Sequence, residues 1–374
     1  MKVVLAFDKF KGSATARQLN EAAQQSLCGL DHVTATCVPV ADGGDGTTAA
    51  LAATRHGQWI TMGVPAPLLH LDPVHASYFL CDDGTALIET AAASGLALVP
   101  PGARDVMHAT TLGTGLMMRD AMERGSRHIV LGLGGSATCD AGMGIMSALG
   151  AEFLDQHDHY LFPCGASLEH IVRIEVRGIP AEVHDTRFTL LTDVDNPLCG
   201  QYGTAAIYGP QKGAAPQQVE QLERGMQRVA AIAGQDIACR AGCGAAGGIP
   251  ALMLHLLDCE LVPGAPYILN ANGLQDALTD ADLVITGEGC LDRQTLMGKA
   301  PGHIINLARE RGIPVIAICG VIAPDISLTA IGLTAAIAVS DGLTIEQAMD
   351  TAGTLMRVSA AVRQAVTMVA DSFD

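Results

Sequence analysis

Acidic residues stand beside Gly or Asn at the ends of several apolar runs. Asp42 and Asp45 lie in ADGGDGT (41–47), Asp193, Asp195 and Asn196 in TDVDNP (192–197), and Glu288 and Asp292 in TGEGCLD (286–292). Carboxylates at the carboxyl ends of parallel strands can serve as hard oxygen ligands for magnesium or accept the proton of an attacking hydroxyl. Lysine is scarce, five residues against seventeen Arg, and four of the five (Lys9, Lys11, Lys212 and Lys299) fall in expected loops within three residues of a Gly. Ammonium groups beside closely approaching backbone are what a phosphate site requires.

A second signal is VLGLGGSATCDAGMG (130–144), an apolar run, a turn rich in Gly and Ser, and the expected start of a helix. Gly132 to Ala137 fit the loose dinucleotide pattern G-x-G-x-x-G/A, with Glu152 or Asp155 as the acidic residue about 20 positions on. The same letters fit a cradle for the phosphates of a nucleoside triphosphate. In that reading Gly132, Gly134, Gly135 and Ser136 offer backbone N–H groups and a hydroxyl at a helix start. A P-loop is excluded, because Gly298-Lys299 is followed by Ala300 and Arg293 stands where the first Gly belongs.

These loops need a frame. From the N-terminus, KVVLAFD and VTATCVPV read as strands, and TARQLNEAAQQSL and TTAALAATRH as helices, the first with a capping box of Thr15 and Gln18. Such βα units predict parallel sheet. In the centre, ASYFLCDDGTALIE reads as a hairpin turning at Asp83-Gly84, and RFTLLTDVD as a strand whose alternation would set Asp193 and Asp195 on one side. Alternation resumes with ADLVITGEG, the helix APGHIINLARERG, then IPVIAICG, TAAIAVSDG and one long C-terminal helix with Ile345, Met349, Met356, Val362, Val366 and Val369 on its apolar face. The expected fold is α/β: a doubly wound parallel sheet from residues 1–64 and 280–374, with a second α/β domain, 65–279, inserted.

Composition excludes several classes. A net charge of -17 opposes polyanions, so neither nucleic acid nor anionic membrane is an expected partner. No run of about 18 apolar residues could span a bilayer, and the first residues meet a charge too early for a signal peptide, so a cytoplasmic address is expected. The eleven Cys are scattered without a CxxC pair, which indicates neither a disulfide framework nor a zinc site.

Taken in order, FDKFKGS, PVADGGDGT, TLGTG, LGLGGSAT, DVDNPLCG, GPQKGA, GCGAAGG and ITGEGCLDRQTLMGKAP resemble the bacterial type I glycerate kinases over nearly the whole chain. The resemblance implies transfer of phosphate from ATP to D-glycerate with Mg2+, giving 2-phosphoglycerate, and a flavodoxin-like domain with a second α/β domain inserted. On the matching positions it implies catalytic roles for Asp193, Asp195, Lys212, Asp42 and Lys11. Substrate or nucleotide binding falls to Ser13, Asp45, Gly132, Gly134, Gly135, Ser136, Asn196, Glu288, Asp292 and Lys299, and magnesium to Asp193 and Asp195. Departures from the family pattern are Lys9 in DKFKGS, Cys139 and Ala141 after GGSAT, and Cys290 after GEG. The residues leave open which carboxylate is base and which is ligand. The rival readings are an NAD(P)-dependent oxidoreductase using Gly132 to Ala137 and a non-catalytic binding protein for small hydroxy acids.

Overall fold

The computed structural model describes residues 1–296, 299–324 and 326–370, which leaves Gly298 of the GKAP motif outside the described residues. The chain forms two compact units, one of Met1–Asp42, Ala49–Thr54 and Ala265–Asp374, the other of Gly43–Thr48 and Arg55–Gly264.

The first unit is built on a five-stranded sheet of Lys2–Phe7, Thr34–Cys37, Leu283–Gly287, Val315–Cys319 and Ala335–Ala338. Numbered within the unit, their order is 2-1-3-4-5 and every pair is parallel. This is the flavodoxin-like order, and its switch point lies between the first strand and Leu283–Gly287. Both faces of the sheet are covered, which is why VVLAF (3–7) is continuously apolar. Val3, Leu5 and Phe7 pack with Leu19, Ala23 and Val362 on one face, and Val4 and Ala6 pack with Ile304 and Ile305 on the other.

Helix Ala16–Leu27 opens with the expected capping box, Gln18 N–H donating to Thr15 Oγ1 at 3.2 Å. The C-terminal segment departs from the sequence expectation. It forms two helices, Ile345–Met349 and Thr351–Ala370, because the extended Asp350 caps the second by accepting from Gly353 N–H at 2.8 Å. The apolar face is correspondingly broken: Val362, Val366 and Val369 of the second helix are buried, but Ile345 in the first is 81% exposed and Met356, on the outer side of the second, 73%.

The second unit holds a six-stranded mixed sheet in the order Cys259–Pro263, Arg187–Thr192, His128–Gly132, Thr85–Glu89, Val74–Cys81 and Gly57–Val64. The first four strands are parallel, and the last two add antiparallel pairs, including the expected hairpin around Asp83-Gly84. Two boundaries differ from the sequence reading at 64 and 280. Gly57–Val64 pairs with Val74–Cys81 along its whole length and so belongs to this sheet. Ala265, Leu269, Leu274 and Leu278 pack into the core of the first unit. Among the described residues no helix is long and apolar enough to cross a membrane.

Candidate active site

At the switch point of the first unit, Asp8 N–H donates to Gly287 O at 2.9 Å and ties two strand ends together. Gly287 is required there, since a Cβ would fall 1.9 Å from Ile318 O. Asp8 is only 6% exposed and accepts from Lys9 N–H at 2.7 Å. Burial pushes its carboxyl up to about 6, with the charge of Asp42 acting in the same direction and that of Lys9 opposing. Lys9 Nζ lies 3.7 Å from Asp42 Oδ1.

Glu288 follows the neighbouring strand and is buried; its carboxylate accepts from Thr295 Oγ1 at 2.5 Å and from Lys299 Nζ at 3.5 Å. Burial raises its pKa, opposed by Thr295 and Lys299. Lys299 is the N-cap residue of helix Ala300–Glu310. The loop is closed by Asp292 N–H donating to Thr295 Oγ1 at 3.1 Å. The first unit thus brings together Asp42, Glu288, Asp292 and Lys299. Lys11 is exposed, and the Ser13 hydroxyl donates to Thr354 Oγ1 at 2.8 Å. Asp8 is the residue that sequence reasoning missed; its signal is its place as the first polar residue after an unbroken apolar strand.

In the second unit two glycine loops lie on each other. Gly134 N–H donates to Gly43 O at 3.2 Å, and a Cβ on Gly134 would fall 2.4 Å from Gly44 Cα. Gly135 has φ +76°, and a Cβ there would meet Asp45 Oδ1 at 2.7 Å. Only glycine permits this approach. Asp45 itself is exposed. Behind the loop, half-buried Glu89 accepts from Thr48 N–H at 2.7 Å, with its pKa raised by desolvation.

Two expectations for this loop are corrected. The residues after strand His128–Gly132 do not start a helix, which begins only at Met143; Ala137 N–H donates instead to Ser94 O at 2.8 Å, and Gly135 O accepts from Leu96 N–H at 2.8 Å. Glu152 lies in a two-stranded ribbon with Arg173–Glu175, outside the main sheet. Neither Glu152 nor Asp155, which follows the same ribbon, therefore stands at the end of a strand parallel to His128–Gly132, and the dinucleotide reading loses its acidic partner.

Lys212 lies in the expected loop and is only 4% exposed. It ends the turn Pro210–Lys212 and donates to Ser136 Oγ and Thr138 O, both at 2.8 Å. Burial lowers its pKa, with Cys139 and Asp140 opposing. Asp140 is wholly buried and already saturated, accepting from Thr111 N–H and hydroxyl, both at 2.8 Å, and from Gly142 and Gly144 N–H, both at 3.1 Å. Among the described residues no carboxylate lies within ion-pair distance of the Lys212 ammonium. Cys139 is buried in the core of this unit, and Cys290 is exposed.

Strand Arg187–Thr192 stops before the DVDN segment, because Thr192 Oγ1 and the Val194 backbone bond to each other in a tight turn. The alternation that would align Asp193 with Asp195 therefore ends, and both are exposed. Tyr208 O–H donates to Asn196 Oδ1 at 2.6 Å, and burial, with the Asp193 charge second, pushes the phenol up to about 12. Asn196 also donates to Tyr202 O at 2.8 Å, so its amide fixes the loop. No group of three or more His, Cys, Asp or Glu among the described residues is arranged as a metal site.

Comparison with known proteins gives one consistent result. Residues 3–369 match the profile of the glycerate kinase family. A glycerate kinase of Haemophilus influenzae is 41% identical over 334 residues, 87% of each chain. The glycerate 2-kinase of Escherichia coli K12 is 37% identical over 334 residues, 88% of this chain and 87% of its own. A crystal structure from Salmonella typhimurium LT2, described as that of a glycerate kinase 2, superposes with a TM-score of 0.85 at 36% identity, covering 100% of both chains.

Proposed function

Because the chain belongs to the glycerate kinase family, we propose that it transfers the γ-phosphoryl group of ATP to the 2-hydroxyl of D-glycerate, giving 2-phosphoglycerate, in the cytoplasm with Mg2+ as cofactor. The observation that carries the reading is Lys212, a buried ammonium held against the Ser136 glycine loop, with no carboxylate within ion-pair distance among the described residues. A buried cation is costly without an anion, and a reaction between two anionic substrates supplies one.

Phosphoryl transfer asks mainly for positioning and charge stabilisation. Lys212 supplies the positive charge for the anionic reactants, and Gly132, Gly134, Gly135 and Ser136 form the loop against which it is held. From the family resemblance, Lys11 acts in catalysis, and Ser13, Asp45, Asn196, Glu288, Asp292 and Lys299 belong to substrate- or nucleotide-binding loops. Asp8 is the best-poised base, its carboxyl held near 6 by burial and Asp42, so that it is ionised yet basic at neutral pH. Magnesium, when bound, spreads the charge of the phosphates. Asp193 and Asp195 are exposed oxygen donors of the kind that supply one or two of its ligands, the rest coming from phosphate and water.

The test is ADP release that depends on both ATP and D-glycerate, with phosphorus NMR to separate the 2- from the 3-phosphate. ADP release indifferent to D-glycerate, or a 3-phosphate product, overturns the reading.

A further inference from the structure

The proposed reaction leaves one lysine of the site loops without a part. Lys9 touches two carboxylates: its backbone N–H donates to Asp8 Oδ1 at 2.7 Å, and its ammonium lies 3.7 Å from Asp42 Oδ1. The sheet explains the meeting. Lys2–Phe7 and Thr34–Cys37 are parallel neighbours, with Val38 N–H donating to Leu5 O at 2.9 Å, so the segments carrying Asp8 and Asp42 leave the sheet at the same end. On the other side of the first strand, Glu288 follows the parallel Leu283–Gly287 and is held by Thr295 and Lys299. The central carboxylate, Asp8, is buried. The charges of Asp42 and Glu288 both oppose its ionisation, and Lys9 favours it through its ammonium and its backbone N–H. With the side chains of Lys9 and Asp42 only 29% and 17% exposed, their pair is screened less than one on the surface.

We infer that Lys9 is a positioning residue for the base: its ammonium covers the charge of Asp42 and so lets Asp8 meet the substrate hydroxyl as a carboxylate. The inference rests on the proposed kinase reaction with Asp8 as its base, and it gives Lys9, one of this chain's departures from the family pattern, a part in that reaction. The charge and the backbone N–H of Lys9 can be separated experimentally. Lys9→Gln keeps the N–H on Asp8 and removes the ammonium, whereas Lys9→Arg keeps both.

The test follows kcat/KM for D-glycerate from about pH 5 to 9 in the full-length protein. Beside it runs the carboxyl-carbon NMR titration of Asp8, assigned by its loss in D8N. In K9Q the acid limb and the Asp8 titration should both move up by at least about one pH unit, so that kcat/KM falls about 5-fold or more at pH 6 and stays within about twofold of wild type at pH 8.5. K9R should leave both in place. Titrations of the substrates are common to all the proteins and cancel in the comparison. An Asp8 titration unmoved in K9Q overturns the inference, as does a loss of activity equal at every pH, which would make Lys9 a ligand of phosphate. An Asp8 titration that moves while the acid limb stays overturns Asp8 as the base, and the role of Lys9 with it. Wild-type protein that does not phosphorylate D-glycerate overturns the functional reading instead, and the NMR titration still decides whether Lys9 shields Asp8.

Discussion

Lys212 and Asp8 are opposite cases of a buried charge. Lys212 donates to two neutral acceptors and, among the described residues, has no carboxylate within ion-pair distance, so much of its charge is available to the reactants. Lys212→Met keeps the stem and removes the charge; kcat/KM for D-glycerate is expected to fall about 100-fold or more with the melting temperature nearly retained, and wild-type kinetics would make the residue a packing element. Asp8 has an acid form favoured by folding. With a folded pKa of about 6 against 3.8 unfolded, its stabilising contribution is complete below pH 3.8 and lost as the pH rises through 6. At pH 8 the ionised carboxylate therefore costs roughly 3 kcal/mol, for a shift of about two units. Asp8→Asn, which can still accept from Lys9 N–H, should be more stable than wild type at pH 8 and lose that advantage towards pH 4 in urea titrations. As the base, Asp8 should also set an acid limb near pH 6 in kcat/KM that vanishes, with most of the activity, in the variant. A stability difference independent of pH would show that Asp8 is not the group being strained.

At the scale of elements, strands such as Lys2–Phe7, Leu283–Gly287 and Val315–Cys319 were legible as short apolar runs bounded by Gly, Asp or Pro, and the first helix because Thr15 and Gln18 mark its start, whereas the more polar Gly57–Val64 and Cys259–Pro263 were not read as strands. What failed were features set through space. The arrest of a strand at Thr192 depends on one side chain bonding to the backbone two residues on, and the split at Asp350 on a cap inside an otherwise helical pattern. The burial of Lys212 depends on Ser136, 76 positions away, and no local pattern contains it. The glycine loops show the same limit. Gly134 was legible as part of a phosphate-type turn, but its necessity comes from Gly44, 2.4 Å from where its Cβ would be. Gly134→Ala must push two backbones apart and should cost about 1–3 kcal/mol. Because the displaced loop carries Ser136, the partner of Lys212, kcat/KM should drop with the melting temperature; a variant with both unchanged would show that the loops need not touch.

For the whole molecule, a net charge of -17 on 374 residues surrounds any anionic substrate with a repulsive field. Local cations do not undo this at long range. Lys9 is paired with Asp42 and Lys299 with Glu288, so at distances beyond a Debye length, about 10 Å at 0.1 M salt, each pair is nearly neutral. Lys212 acts only on a ligand already in place, since it is buried. Association should therefore respond to salt more strongly than dissociation. The association rate constant of ATP, followed by stopped flow with a fluorescent analogue at fixed magnesium, should rise a few-fold between about 20 and 300 mM NaCl as the repulsion is screened, whereas dissociation, governed by buried contacts, should change less. A rate that falls with salt would mean that basic groups near the site, and not the net charge, set the field an incoming nucleotide meets.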